Sequence, residues 1–201
     1  MLSVITSSRQ AQNLRRSDTG FSLLEVLVAI VVLSFGVLGV VGLQAASLQA
    51  NKEARNQSAA VRLGRELGDM MRGNKDIAIL SGSANPYLVD FTSPASPPTA
   101  PQNCSTTACS TPTAVAQFQI EDWLSRVTNE LPGVHVVICV DSAPYDTNGI
   151  PQWTCTNTGG LTVVKMGWTR QSTKRDASAA AVVDRASVPA VVLPLTPGSA
   201  T

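Results

Sequence analysis

The sequence predicts an α+β protein in which one long N-terminal helix packs on a small antiparallel sheet. Three observations support this fold class. A nearly uncharged apolar run covers residues 21–43, an amphipathic helical stretch follows it to residue 73, and β-branched segments lie at 134–140 and 161–169. Apolar residues spaced by three and four favour a helix, whereas short β-branched runs between turn residues favour strands.

The apolar run, Phe21–Leu43, comprises 23 residues with a single charge at Glu25. Because a bilayer core takes about 20 predominantly apolar residues in helical form, the run predicts one transmembrane helix. The basic residues that precede it are Arg9, Arg15 and Arg16. Positive charge at this flank favours a cytoplasmic N-terminus, with the rest of the chain in the periplasm. A buried core helix and a secretory cut near Ala46 are the alternatives.

Glu25 is an unusual residue in such a helix, since a carboxylate at the bilayer centre costs on the order of 2.5–3.5 kcal/mol. One interpretation is that Glu25 lies near the interface and stays hydrated. The other is that it pairs with a cation within an assembly of chains, which offsets the cost of burial. Cleavage after Gly20 would create such a cation, the free amine of Phe21.

The segment Asp18–Ile30, which reads DTGFSLLEVLVAI, resembles the class III signal of type IV pilins and pseudopilins. Gly20, Phe21 and Glu25 match that signal one by one, and so does the basic leader. In that family a prepilin peptidase cuts between the glycine and the phenylalanine and methylates the new N-terminus. The resemblance therefore implies a pilin-like fold, a processing site at Gly20 and Phe21, and a role for Glu25 in recruiting subunits.

Later segments resemble the minor pilins of the family. They are Ala54–Asn74, Trp123–Gly133 and Leu161–Trp168. The resemblance implies a role in initiating or modifying a type IV pilus. The implied partners are prepilin peptidase, other minor and major pilins, the assembly machinery of the inner membrane, and the membrane itself. The expected location is the inner membrane, crossed once, and then the pilus.

Three other functions share parts of this pattern. A minor pseudopilin of a type II secretion system has the same leader and helix, so the N-terminus does not discriminate between the two machines. A membrane-anchored periplasmic enzyme would need a catalytic pattern, such as a nucleophile elbow or a phosphate loop, and the sequence has none. A net charge of +1 gives DNA binding little support. One modest basic cluster is interpreted as a solvated face; it comprises Lys165, Arg170, Lys174 and Arg175.

We predict four parts along the chain. They are a leader at 1–20, the transmembrane helix at 21–43, its amphipathic continuation at 44–73, and a periplasmic head at 74–201. The continuation carries an apolar stripe made of Ala60, Leu63, Leu67, Met70 and Met71. Gly64 and Gly68 lie close to this stripe, and we expect them to let the sheet approach the helix.

The head begins with a segment, 81–113, that holds six of the twelve prolines and predicts a surface loop without a strand. A second helix is expected at 114–130, where Trp123 would anchor it to the sheet. A third strand is expected at 190–193 and a weaker one at 179–184. Prolines around the third strand predict an edge position and a partly frayed tail at 187–201.

The four cysteines, Cys104, Cys109, Cys139 and Cys155, all follow the apolar run, in the compartment expected to be oxidising. Their even number predicts disulfides, and local pairing (104 with 109, 139 with 155) is favoured over the two other pairings. A structural zinc site is the alternative, but the sequence lacks the Cys-x-x-Cys spacing that would support it.

The remaining candidates for chemistry have ordinary interpretations. His135 lies in a predicted strand, and Glu121 and Asp122 form an acidic pair on a predicted solvated helix face. We therefore predict a protein that is not an enzyme, with no cofactor, no metal and no catalytic residue.

Overall fold

The computed structural model describes residues 20–171 and 183–198. Most of the predicted leader lies outside the described residues, and so do Lys174 and Arg175 of the predicted basic cluster. The described part of the chain has the α+β fold that the sequence predicts, with a long N-terminal helix, a small antiparallel sheet and further helices.

By its internal contacts the chain divides into two compact units, Met1–Leu48 and Gln49–Thr201. Helix α1 covers Leu23–Gly73 and contributes residues to both units. Every described residue of the first unit is exposed, and the most apolar window of α1 has a mean hydropathy of 2.9. By length and composition this helix could cross a membrane, as predicted.

In the second unit, α1 buries one side against the head. The buried residues of α1 are Ala60, Leu63, Gly64, Leu67, Gly68 and Met71. This face confirms the predicted stripe except at Met70, which is only half-buried. Spacings of three and four residues place these side chains on one side of an α-helix, so the stripe forms a continuous apolar face.

Two further helices follow α1 in the described part of the chain. The short helix α2 covers Lys75–Ala78, and a 3-10 turn covers Gly82–Ala84. Helix α3 covers Pro112–Glu130, which confirms the second predicted helix with a start two residues earlier. Thr111 caps α3 because its side chain accepts a hydrogen bond from Ala114 N at 3.1 Å, and proline suits the first helical position.

Within residues 20–171 and 183–198, the main sheet has four antiparallel strands. In chain order they are β1 (Asp90–Thr92), β2 (His135–Asp141), β3 (Leu161–Gly167) and β6 (Val191–Leu195), and they lie in the spatial order β1-β2-β3-β6. A separate two-stranded sheet pairs β4 (Arg170–Gln171) with β5 (Val183–Asp184). The predicted edge position of β6 is confirmed, and its Pro194 lies opposite Val163 of β3. Of the weaker strand predicted at 179–184, only β5 falls within the described residues.

The expectation of a strand-free surface loop at 81–113 was wrong. Strand β1 lies within this segment and pairs with β2, with Phe91 opposite Val136. Asn85, Tyr87 and Phe91 are buried. Three residues are too few to show the two-residue alternation of apolar side chains that is typical of a strand. The prolines that follow favour a loop instead. Its pairing depends on β2, which lies more than 40 residues later in the chain.

The two faces of the sheet have different coverings. One face shares the main core with α1 and α3, and contributes Val136, Ile138, Val164 and Met166. The opposite face forms a smaller core from Val137, Cys139 and Val163, against which Trp153, Cys155 and Val192 pack. Alternate residues of each strand thus point to different cores, so both faces are apolar and β2 reads as an uninterrupted apolar run.

Gly64 is the point at which the sheet comes closest to α1. A Cβ atom there would lie 2.6 Å from Leu193 Cδ1 and 3.4 Å from both Val164 and Met166. At Gly68 the nearest atom, Leu195 Cδ2, would be 3.5 Å away, which is an ordinary contact. The prediction of close approach is therefore confirmed at Gly64, whereas Gly68 has room for a methyl group.

Candidate processing and assembly site

Ser22 defines where α1 begins. Its hydroxyl oxygen accepts a hydrogen bond from Leu24 N at 3.2 Å, and its carbonyl oxygen accepts one from Val26 N at 3.2 Å. Both are bonds of a helix N-cap residue, which itself lies outside the helix. Ser22 is not among the predicted site residues, although Ser22 followed by Glu25 has the Ser-x-x-Glu spacing of a helix start.

The peptide bond between Gly20 and Phe21 therefore precedes the helix and is accessible. Phe21 is 83% exposed, and a Cβ atom at Gly20 would meet no atom within 4 Å. Glu25 lies in the first turn of α1 and is also exposed. A carboxylate in the first turn is favourable because it faces the positive end of the helix dipole. The structure thus brings Gly20, Phe21 and Glu25 to one helix terminus, as their spacing requires.

The helix that follows presents a large apolar surface. The exposed apolar residues include Leu24, Leu27, Val31, Phe35, Leu38, Val41, Leu43 and Leu48. Apolar surface left in water costs roughly 25 cal/mol per Å², so this part of α1 requires a lipid or protein environment. The described residues of the first unit supply no such covering.

In the second unit, Glu53 of α1 contacts two residues of the head. The carboxylate accepts a hydrogen bond from Trp168 Nε1 at 3.1 Å and forms an ion pair with Arg170 at 2.5 Å. The Arg170 guanidinium lies 5.7 Å from the centre of the Trp168 ring, within cation–π range. Trp168 itself is fully buried. These three residues join α1 to the end of the sheet across 115 residues of sequence.

Helices α1 and α3 are joined by hydrogen bonds and ion pairs. Trp123 Nε1 donates to the Leu63 carbonyl oxygen at 2.9 Å, so the hydrogen bond that anchors Trp123 goes to α1 and not to the predicted sheet. Arg126 pairs with Glu66 of α1 and, at 3.0 Å, with Asp122 of its own helix. Burial lowers the pKa of Arg126, but the hydrogen bonds and charges of its two carboxylate partners outweigh it and raise the pKa above its usual range.

The prediction of a solvated basic face was wrong at Lys165. Lys165 is completely buried on the face of the sheet opposite α1, and its ammonium pairs with Asp141 at 2.6 Å. It also donates to the Thr154 carbonyl oxygen at 2.7 Å. Of the four predicted residues, only Arg170 is described as exposed, and it is paired with Glu53. The positive charge of Lys165 is therefore balanced by Asp141 inside the head.

Both disulfides have the local pairing that the sequence favours. Cys104 is bonded to Cys109, and Cys139 of β2 is bonded to Cys155, with Cα atoms 5.1 Å and 6.3 Å apart. The sulfurs of Cys139 and Cys155 and a carboxylate oxygen of Asp141 lie within 4.8 Å of one another, a grouping that could hold a metal. Here the two sulfurs bond to each other and Asp141 is paired with Lys165, so these atoms already have partners.

The remaining candidates have structural partners. His135 Nε2 lies 2.9 Å from Asp90 Oδ1, and its ring stacks on Trp153 with 4.0 Å between ring centres. Glu121 accepts a hydrogen bond from Ala100 N at 2.7 Å. These contacts tie together β1, β2, α3 and their loops. They give structural partners to His135, predicted as an ordinary strand histidine, and to Glu121 of the predicted solvated acidic pair.

Two family models match the chain. A model described as the prokaryotic N-terminal methylation motif matches residues 15–41, and one described as type IV pilin Tt1218 matches residues 42–121. No curated protein and no solved structure matches. The methylation motif and the apolar helix fit a pilin anchored in the inner membrane. The two matches adjoin each other, and together with the pilin-like α+β fold they make this chain similar to type IV pilins.

Proposed function

We propose that this chain is a minor pilin that takes part in initiating or modifying a type IV pilus after prepilin peptidase cuts between Gly20 and Phe21. The observation that carries the proposal is the position of that bond. It lies outside α1, next to the cap at Ser22, and both of its residues are exposed. A peptidase must bind its substrate as an extended chain, and a bond inside a helix would first have to unwind.

The proposed sequence of events uses each part of the chain. The helix at 21–43 holds the precursor in the inner membrane, with the head in the periplasm. Cleavage then gives Phe21 a free amine that is subsequently methylated. Glu25 pairs with such an amine on its own or a neighbouring chain, which offsets the cost of a carboxylate in an apolar environment. The exposed apolar surface of α1 is finally covered by other pilins.

The minor role rests on the resemblance of residues 54–74, 123–133 and 161–168 to PilV, the type IV pilus modification protein. We therefore propose other minor pilins as the first partners of this chain, within a complex that primes the pilus.

The test is the N-terminal mass of the protein from cell envelopes, with and without prepilin peptidase. We expect a chain that begins at methylated Phe21, and only when the peptidase is present. Gly20→Val should leave the leader attached, because a β-branched residue would stand directly before the cut bond.

Gly36→Val is the matched control. It makes the same change at another glycine whose Cβ would meet no atom within 4 Å, and its leader should still be removed. A chain that starts at Met1 in the presence of the peptidase, or one cut near Ala46, would contradict the proposal.

A further inference from the structure

Two exposed cations follow the apolar run on α1, and we propose that they bind anionic phospholipid headgroups at the outer surface of the membrane. Lys52 and Arg55, here called the outer basic pair, are both exposed. They are three residues apart, so they lie on one side of the helix. Within the described residues neither forms an ion pair. The inference rests on the proposed function, because it requires the helix at 21–43 to span the membrane.

The acid next to the outer basic pair does not neutralise it. Glu53 accepts a hydrogen bond from Trp168 Nε1 at 3.1 Å and pairs with Arg170 at 2.5 Å, so the head already balances its charge. Two arginines farther along α1 differ from the pair, because Arg62 pairs with Glu130 and Arg72 with Asp69. Lys52 and Arg55 therefore leave two positive charges for an external partner.

The length of the uncharged stretch determines where the outer basic pair lies relative to the membrane. Residues 26–51 are 26 residues without Asp, Glu, Lys or Arg. A helix of this length rises about 39 Å, close to the ~40–45 Å of a bilayer that includes both headgroup layers. With Glu25 at the inner headgroups, the first charges beyond the apolar run reach the outer headgroups.

The side chains suit a lipid phosphate. Lys and Arg lay their apolar stems along hydrocarbon while the charged head stays in water. The Arg55 guanidinium can form two parallel hydrogen bonds to a phosphate, and the Lys52 ammonium adds a compact charge. A basic residue close to an anionic membrane surface contributes roughly fivefold to binding. A surface of zwitterionic lipids provides no net charge for this attraction.

The experiment measures lipid selectivity of the full chain in phosphatidylcholine vesicles by electron spin resonance. It compares the association of spin-labelled phosphatidylglycerol with that of spin-labelled phosphatidylcholine. We expect the double variant Lys52→Gln, Arg55→Gln to lower the preference for phosphatidylglycerol by about fivefold or more. The control is Arg65→Gln, Lys75→Gln, which removes two exposed cations farther along the chain. It should leave the preference unchanged.

Inorganic phosphate distinguishes a lipid site from a site for free phosphate. At constant ionic strength, added phosphate should leave the preference of the wild-type chain nearly unchanged, because the lipid headgroups are concentrated at the surface. Loss of the preference in phosphate would identify a site for the free anion and overturn the proposal, as would equal preferences in the double variant and the wild type.

Membrane insertion is measured separately by alkaline carbonate extraction. If the wild-type chain is extracted from the membrane, the proposed function fails and this inference fails with it. If the chain stays embedded and its lipid preference does not depend on Lys52 and Arg55, only this inference is refuted.

Discussion

Lys165 and Asp141 form an ion pair inside the head, with 2.6 Å between Lys165 Nζ and Asp141 Oδ2 and neither side chain exposed. Lys165 also donates to the Thr154 carbonyl oxygen at 2.7 Å, and Asp141 Oδ1 accepts from Ala143 N at 3.0 Å. The pair thus ties β2 and β3 to the loop that joins them. The disulfide between Cys139 and Cys155 holds the same loop.

Removing the charge of Lys165 should destabilise the head strongly. Lys165→Met leaves the Asp141 carboxylate buried without its cation, and breaking a buried pair in this way typically costs about 3–5 kcal/mol. The measurement is the free energy of unfolding of the full chain in detergent, from urea titration followed by tryptophan fluorescence.

The exposed Arg65→Met serves as control and should change the free energy of unfolding by less than about 0.5 kcal/mol. Adding Asp141→Asn to Lys165→Met should recover part of the loss, because the buried charge is then removed as well. Wild-type stability in Lys165→Met would show that the ion pair contributes nothing.

Acid should weaken the head through Asp141. Burial raises the pKa of this carboxyl, but hydrogen bonds from Lys165 and from the backbone N–H groups of Ala143 and Thr156 outweigh it, so the pKa lies below its usual value. A carboxyl with a lowered folded pKa stabilises the fold above its unfolded pKa of about 3.9. That contribution is lost as the pH falls through the folded pKa.

The check is the free energy of unfolding measured from pH 7 down to pH 2, for the wild type and Asp141→Asn. We expect the difference between them to be largest at neutral pH and to shrink below about pH 4. Parallel curves over the whole range would show that Asp141 has the same pKa in the folded and unfolded chain.

The two buried glycines of α1 should respond in opposite directions to alanine. Gly68→Ala should raise the free energy of unfolding by up to about 1 kcal/mol, because alanine favours the helix and its methyl group has room. Gly64→Ala should lower it by about 1 kcal/mol, since the methyl group would lie 2.6 Å from Leu193 Cδ1. Equal gains in both variants, measured by urea titration, would mean that β6 moves away without cost.

The variant Glu25→Leu distinguishes the two interpretations of the Glu25 carboxylate, which are hydration at the membrane interface and pairing within an assembly of chains. The change removes a charge that would cost about 2.5–3.5 kcal/mol at the centre of a bilayer, so the precursor should stay at least as firmly in the membrane. If Glu25 recruits subunits, the leader should still be removed but little of the variant should enter sheared pili, by immunoblot. Normal amounts in pili would support a hydrated carboxylate with no role in assembly. Glu53→Gln, which keeps an acceptor for Trp168 Nε1, is the control and should enter pili normally.

The candidate site was predictable because its parts are neighbours in sequence. Gly20, Phe21 and Glu25 lie within six residues, and the apolar run after them shows its character by composition alone. Ser22 was missed, although its spacing to Glu25 could have indicated the cap. By contrast, nothing local to Lys165 showed that it would be buried, because its partner Asp141 lies 24 residues away.

The elements with a strong local pattern could be predicted from the sequence: the apolar and amphipathic parts of α1, helix α3, strands β2 and β3, and the motif at Gly20 and Phe21. Periodicity, capping and composition act over a few residues, so they can be read without the fold. The formation of β1 at Asp90–Thr92 and the hydrogen bond between Glu53 and Trp168 depend instead on long-range contacts in the folded chain. Such contacts exist because the folded chain brings distant segments together, and their energies depend on burial that no local pattern records.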